Sequence, residues 1–429
     1  MGDRKANLPP SHARFNGMTL LVQKYGGSSL GTLERIKHVA TRIKLAKEQG
    51  HDVVVIVSAM QGETDRLIQL AHALTPEPNA REYDTLVSTG EQVSMSLLAI
   101  ALHAKNCPAR SYTGSQIGIQ TNANHRSARI EDIKTNVIQR DLASGLVVII
   151  AGFQGVNADG DITTLGRGGS DTTAVAIAAA LHADECHIYT DVAGVYTTDP
   201  RMMSDASLLS HIGFEEMLEM ANLGAKVLQR RSVELAKHHK LPIRVLSTFT
   251  HHPGTLVTTD EEIIQKRPVS CIAFNREEAM IIVQHDHLEP HLEDEILRQL
   301  NEAHIEADMI SREANRFTFT LHRGDSAIAL KLIDALKTPL HITHIESHLH
   351  MAKLSLVGMG MRSYPHVLKQ LLESLDQAKI TIEMIATSDI KISVMIHEAD
   401  LSEGVSALHN VFELHTLSSD KESFFIHPI

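Results

Sequence analysis

The sequence predicts an α/β protein with one large α/β sandwich followed by two small α+β modules. Three observations carry this. Continuous β-branched runs alternate with helical patterns over residues 18–265, the signature of a parallel sheet buried on both faces. Two glycine turns, Lys24-Tyr25-Gly26-Gly27-Ser28-Ser29 and Gly166-Arg167-Gly168-Gly169-Ser170-Asp171, each join such a run to a helical pattern. Beyond residue 265 the chain repeats itself at an offset of 75 residues, which marks a duplicated structural unit.

Residues 1–17 are polar and contain Pro9 and Pro10; they read as a disordered extension. Residues 19–25 read as a strand entering the first glycine turn. Leu33, Ile36, Val39, Ala40, Ile43 and Ala46 follow a helical period over 32–48. Val53–Val57 and Leu146–Ile150 are buried-strand runs. After the second turn, Asp171-Thr172-Thr173 reads as a helix N-cap before an Ala-rich helix that reaches Leu181. Residues 185–190 read as a strand, 214–220 and 229–238 as helices, and Ile243–Leu246 as a strand. In the repeat, Pro290, Ile296, Leu300, Ile305 and Met309 match Pro365, Leu371, Leu375, Ile380 and Met384, and Phe317-Thr318-Phe319 matches Ile392-Ser393-Val394. Each copy reads strand, helix, strand, strand. The units are thus 18–265, 266–345 and 346–429.

Composition narrows the function classes. Only 4% of residues are aromatic and there is no Trp, so an aliphatic core is expected. The formal charge of −12 disfavours nucleic acid or an anionic membrane as a general partner. No apolar run approaches the roughly 20 residues of a membrane span. Cys107, Cys186 and Cys271 lie far apart and imply neither a zinc knuckle nor a disulfide framework. A cytoplasmic location is expected. His341, His344, His348 and His350 cluster between the repeats, without a metal-site spacing, and read as a polar connector.

Glycine turns at helix starts crowd backbone N–H groups around an anion. Lys24 adds a cation for a transferring phosphoryl group, although no P-loop spacing occurs. An Arg fork such as Arg167 suits a carboxylate. Asp171 suits an ammonium group, a helix cap, or both. Glu91 in Ser88-Thr89-Gly90-Glu91 is a candidate of the same kind, or a first-turn helix acid. Ser58 ends a strand, where open α/β sheets bind ligands. Thr190-Asp191, Tyr196, Asp199-Pro200-Arg201 and Lys226 surround another strand end, where ordinary turn chemistry is the competing reading. Polyphosphate and a small charged acceptor held together is the arrangement phosphoryl transfer needs.

The two glycine turns, Val57-Ser58-Ala59-Met60, Ser88–Glu91, Gly152-Phe153, Tyr189–Arg201 and Gly224-Ala225-Lys226-Val227-Leu228 together resemble the aspartate kinase family. Val357–Ser363 and Met384–Ser393 resemble its second ACT module. The resemblance implies a three-layer amino-acid kinase sandwich followed by two ferredoxin-like ACT modules. It implies ATP-dependent phosphorylation of the β-carboxylate of L-aspartate, first step of the route to lysine, threonine and methionine, with Mg²⁺ held mainly by the nucleotide and no protein metal site. Carried over by position, Lys24 bridges the phosphoryl group and the acceptor, and Gly26, Gly27 and Ser28 face the phosphates. Arg167 holds the α-carboxylate, Glu91 and Asp171 lie near the ammonium, and Ser58, Thr64 and Ser170 complete the pocket. Thr190, Asp191, Tyr196, Arg201, Lys226 and Val227 line the nucleotide. The family implies a homodimer or dimer of dimers through 269–429. It also implies a lysine or threonine effector near Asp286, Asp308, Met309 and Ser388. Glu289-Pro290-His291 stands where the family has a Pro-Gly pair, which leaves the effector open. The alternatives are another amino-acid kinase, which needs a different acceptor, or an amino-acid sensor with weak kinase activity.

Overall fold

The computed structural model describes residues 19–224, 227–259, 268–285 and 291–415. The 1–17 extension, Lys226, Asp286, Glu289 and Pro290 lie outside these residues.

In chain order, β1 (Leu20–Tyr25) leads through a short 3-10 turn (Gly27–Leu30) to α1 (Leu33–Glu48), β2 (Asp52–Val57), α2 (Glu63–Leu74), α3 (Ala80–Val87) and α4 (Thr89–His103). Then come β3 (Ala109–Tyr112), α5 (Gly114–Ile117), β4 (Ile119–Thr121), β5 (Ile130–Ile133), α6 (Asn136–Ala143), β6 (Val147–Ala151), β7 (Gln154–Val156) and β8 (Ile162–Thr164). The unit continues with α7 (Gly169–Leu181), β9 (Glu185–Thr190), β10 (His211–Gly213), α8 (Phe214–Asn222), α9 (Arg230–His239), β11 (Ile243–Ser247) and β12 (Thr255–Thr258).

Eight strands form one sheet in the order β10-β12-β11-β9-β1-β2-β6-β3, parallel throughout except between β11 and β12. Alternate side chains enter two cores. Val54, Ile56, Val148 and Ile150 pack towards α6, α7, α8 and α9, and Val53, Val55, Val57, Val147 and Ile149 towards α1 and α4. This is the three-layer sandwich the buried runs predict. A second sheet, β5-β4-β7-β8, escapes sequence reading because its strands are three or four residues long. The stretch Ala80–His103 is long and apolar enough by composition to cross a membrane, yet half of it is buried inside the fold, and α4 packs against α1. It is a core element.

The repeat comprises β13 (Cys271–His285), α10 (Leu292–Glu302), β14 (Ile310–Glu313), β15 (Arg316–His322) and α11 (Ser326–Ala335). The second copy is β16 (Ile342–Val357), α12 (Pro365–Gln377), β17 (Met384–Thr387), β18 (Lys391–His397) and α13 (Leu401–Val411). Each copy ends in a helix that the sequence pattern did not reveal. The six strands form one sheet, β14-β15-β13-β16-β18-β17. The modules exchange strands. Residues 278–285 of β13 pair with β15 and with the first half of β16, and residues 271–275 pair with the second half of β16. The 345/346 boundary therefore falls inside β16, where the structure divides the sheet at neither module's edge. The histidines at 344, 348 and 350 belong to this strand, which corrects the connector reading. The histidine-bearing stretch lacks the apolar alternation of a strand because most side chains of residues 341–350 are exposed.

Candidate active site

The site forms at the carboxyl ends of β1, β2 and β6, around a cleft of about 390 Å³ lined by both glycine turns. β1 carries Lys24 in register with Ile56 on β2 and Ile188 on β9. Beneath the first turn, Tyr25 stacks on Tyr189 with ring centroids 4.5 Å apart, and Arg42 lies over the Tyr189 ring. The Gly26 N–H turns back to the Tyr189 carbonyl at 3.4 Å. Gly27 and Ser28 open the 3-10 turn, whose first N–H groups have no intrahelical acceptor. A Cβ at Gly27 would sit 3.0 Å from the Ala59 carbonyl oxygen, so a side chain there would press on the loop after β2.

The second turn delivers α7 to the cleft. Gly168 has φ +71°, and a Cβ there would fall 2.0 Å from Gln229 Cγ; only glycine suits both the angle and the space. Gly168 is the residue at the helix start, so Asp171 is not the cap that its sequence context suggests. It is the third residue of the first turn, and its Oδ1 meets Lys24 Nζ at 2.6 Å. Arg167 is exposed at the cleft rim.

Glu91 enters from the first turn of α4. One carboxylate oxygen accepts the Ala59 N–H at 3.1 Å; the other is buried without a hydrogen-bond partner among the described residues. Burial pushes this carboxyl up to about 8, so it is largely protonated at neutral pH. The loop after β2 supplies Ser58, the first turn of α2 supplies Thr64, and α7 supplies Ser170.

The structure thus brings Lys24, Gly27, Ser28, Ser58, Thr64, Glu91, Arg167, Ser170 and Asp171 to one cleft. Gln61, Asp65 and Phe153 line it too, and the sequence reading missed them. For Phe153 the signal was its place after Gly152. It holds φ +68°, unusual for a bulky residue, and its N–H donates to Thr173 Oγ1 at 3.1 Å. Thr190 and Asp191 end β9, beside the cleft strand β1. Tyr196 bridges to Leu208. Arg201 forms a two-point pair with Asp199 at 3.0 and 2.7 Å.

A buried carboxylate holds this wall. Asp84 on α3 accepts the Thr164 hydroxyl at 2.7 Å, the Thr164 N–H at 3.0 Å and the Arg126 N–H at 3.0 Å, and lies 2.9 Å from His125 Nδ1. It ties α3, and so the start of α4, to the strand that leads into the second glycine turn.

In the six-stranded sheet, Asp308 pairs with the buried Lys353, which also meets Glu278 at 3.1 Å. Met309 packs with Met280, Met351 and Met395. Ser388 Oγ accepts two N–H groups of the β17–β18 turn. Asp308 and Ser388 adjoin opposite outer strands with four strands between them, so within one chain these two residues stand apart.

Comparison with known proteins matches residues 19–247 to the Amino acid kinase family and 354–412 to the ACT domain. The chain is 50% identical over 403 residues to the aspartate kinase Ask_LysC of Stutzerimonas stutzeri, covering 92% of this chain and 98% of that protein. It is 50% identical over 404 residues to the aspartokinase of Pseudomonas aeruginosa, with the same coverage. Among solved structures, it resembles E. coli aspartokinase III in complex with aspartate and ADP, with a TM-score of 0.78 and 25% identity over 91% of this chain and 99% of that one. At 50% identity over nearly the whole of these relatives, the chain belongs to the aspartate kinase family.

Proposed function

We infer that the protein transfers the γ-phosphoryl group of ATP to the β-carboxylate of L-aspartate, giving 4-phospho-L-aspartate and ADP. The bond between the γ-phosphorus and the β–γ bridging oxygen breaks as the carboxylate oxygen–phosphorus bond forms. The Lys24–Asp171 pair at the meeting of two glycine turns carries this reading. Lys24 neutralises charge on the transferring group, and the Gly27 and Ser28 N–H groups face phosphate oxygens. Arg167 takes the α-carboxylate as a planar fork. Glu91 and Asp171 face the ammonium, with Ser58, Thr64 and Ser170 around the acceptor. Thr190, Asp191, Tyr196, Arg201, Val227 and Lys226 serve the nucleotide.

Mg²⁺ screens the polyphosphate charge and is held mainly by the nucleotide. The donor set supports this. Among the described residues lining the cleft, Asp171 is engaged by Lys24 and Glu91 is raised to about 8, which leaves Asp65 as the remaining carboxylate; Mg²⁺ commonly needs only one or two carboxylates beside phosphates. A hydroxamate-trapped assay with ATP over L-aspartate, L-glutamate and N-acetyl-L-glutamate tests the acceptor. Phosphorylation of another acceptor in preference to L-aspartate would reassign the enzyme within the superfamily.

The reaction opens the route to lysine, threonine and methionine, and an end-product amino acid regulates it through the ACT sheet. The modules already pair within one chain, so a second chain is left the outer strands β14 and β17. Both expose an apolar residue, Ile310 and Ile385, and an exposed apolar edge favours pairing. This supports a homodimer, or a dimer of dimers, in which Asp308, Met309 and Ser388 of different chains can meet. Three free, buried cysteines suit a cytoplasmic enzyme. Sedimentation with and without lysine or threonine tests assembly and effector together; a monomer indifferent to both removes this part and leaves the kinase reading.

A further inference from the structure

The six-stranded sheet and its helices touch the kinase layer away from the cleft. Ile272 N–H donates to the Thr197 carbonyl at 2.7 Å, and Lys391 Nζ meets Glu219 at 2.8 Å. In this contact Asp205, from the segment between β9 and β10, faces His409 on α13 and His415 just beyond it. One ligand atom from each lies within 4.8 Å of the other two.

The His409 ring is fully buried, and its two nitrogens differ. Nε2 lies 3.2 Å from Thr197 Oγ1. That oxygen already accepts the Ser207 N–H at 3.0 Å, and a hydroxyl oxygen can accept two hydrogen bonds. With Nε2–H donating to Thr197, Nδ1 carries the lone pair. Nδ1 is buried with no hydrogen-bond partner among the described residues, a state that buried polar atoms seldom keep without a reason. The Ser207 hydroxyl donates to the His415 carbonyl at 2.9 Å, which fixes the backbone that presents the second imidazole.

We propose that Asp205, His409 through Nδ1 and His415 bind a divalent transition cation of the zinc class, and that this cation clamps the regulatory layer to the kinase layer. Two imidazoles and one carboxylate are a donor set for such ions, whereas Mg²⁺ and Ca²⁺ take oxygen ligands. Bonds of about 2.0–2.2 Å place tetrahedral ligand atoms about 3.3–3.6 Å apart. Asp205 and His415 are exposed and close on the fixed His409 ring. Thr197 supplies the outer hydrogen bond that metal-binding histidines use to set tautomer and orientation. Solvent fills the fourth position. The segment holding Asp205 also carries Tyr196 and Arg201, so the cation ties α13 to a nucleotide-side loop, and it favours only the arrangement in which the two layers are docked.

The test uses the full-length chain, stripped with chelator and dialysed, with Zn²⁺ or Co²⁺ as the only added metal. The expected result is one high-affinity Zn²⁺ per chain by equilibrium dialysis, visible d–d bands with Co²⁺, and a melting temperature that rises with Zn²⁺. Asp205→Asn and His415→Ala change exposed residues and should each weaken Zn²⁺ binding at least about tenfold and abolish the melting shift. Thr197→Val should weaken it about tenfold through the His409 ring. The double variant His348→Ala/His350→Ala, on exposed imidazoles of β16, should bind as the parent does. The proposal fails if the parent takes up no Zn²⁺ at micromolar free metal. It also fails if Asp205→Asn and His415→Ala keep the parent's affinity, or if the β16 double variant alone loses the site.

Discussion

Lys24 Nζ and Asp171 Oδ1 lie 2.6 Å apart, with both side chains largely shielded from water. They come from separate elements, the end of β1 and the first turn of α7, and meet where both glycine turns converge. The pair keeps the ammonium extended into the cleft before substrate arrives. Arranging charge in advance in this way spares reorganisation in the transition state.

Lys24→Ala is therefore expected to lower kcat by about 10²–10³ while the circular dichroism spectrum stays that of the parent. Single-turnover and steady-state assays at saturating ATP check it. A variant keeping more than about a tenth of kcat would exclude Lys24 from the electrostatic role.

Arg167→Lys should raise the KM for aspartate far more than the KM for ATP. A planar fork makes two parallel bonds to a carboxylate, and an ammonium cannot reproduce them. Among the described residues Arg167 has no ion pair to lose, so the effect reports substrate contact. Equal changes in both constants would move Arg167 to the nucleotide side.

Much of this was legible in the chain. The buried strands around Lys24 and Ser58 are long β-branched runs, and such runs stay distinct without tertiary information. The 75-residue offset survives in the fold to the residue, with Arg316–His322 repeated as Lys391–His397. What the sequence hid depends on contacts between distant segments. Asp171 looked like a helix cap because Thr172 and Thr173 follow it, whereas Gly168 starts the helix. The strand exchange between β13 and β16 leaves no local mark, since pairing partners are chosen only when both strands are present. His344 and His348 gave no apolar alternation and so concealed a strand. Asp84 gave no signal at all, because its four donor groups come from residues 125, 126 and 164.

Glu91 predicts a pH dependence with a definite sign. Its carboxyl is raised from 4.5 to about 8, first by burial. Between these values the folded chain binds more protons than the unfolded chain, so stability from this group falls as pH rises and levels off above about pH 8. An ammonium beside Glu91 favours its charged form, so aspartate binding should release a proton and tighten as pH rises towards 8. Glu91→Gln should flatten both profiles and raise the aspartate KM. Melting temperature and KM measured from pH 5.5 to 8.5 decide it; unchanged slopes in the variant would show that another group titrates.

Asp84 is the strongest structural dependency of the site. It is fully buried and serves the Thr164 N–H and hydroxyl, the Arg126 N–H and His125. Asp84→Ala leaves these donors without an acceptor in a space water does not reach. Hydrogen bonds to a charged group contribute about 1.5–3 kcal/mol each, and they act together, so a loss of about 3 kcal/mol or more in unfolding free energy is expected. Asp84→Asn keeps the shape but offers one acceptor oxygen instead of two, and should lie between the parent and the alanine variant. Function should follow the same order. α3 runs into Ser88 and Glu91, and Thr164 runs into Leu165 and Arg167, so loosening Asp84 displaces both aspartate-binding walls while β9 and β11 keep their places. The expected result in urea titration and steady-state kinetics is a graded fall in stability with a rise in aspartate KM that exceeds the rise in ATP KM. A stability loss with both constants unchanged would confine Asp84 to holding the fold.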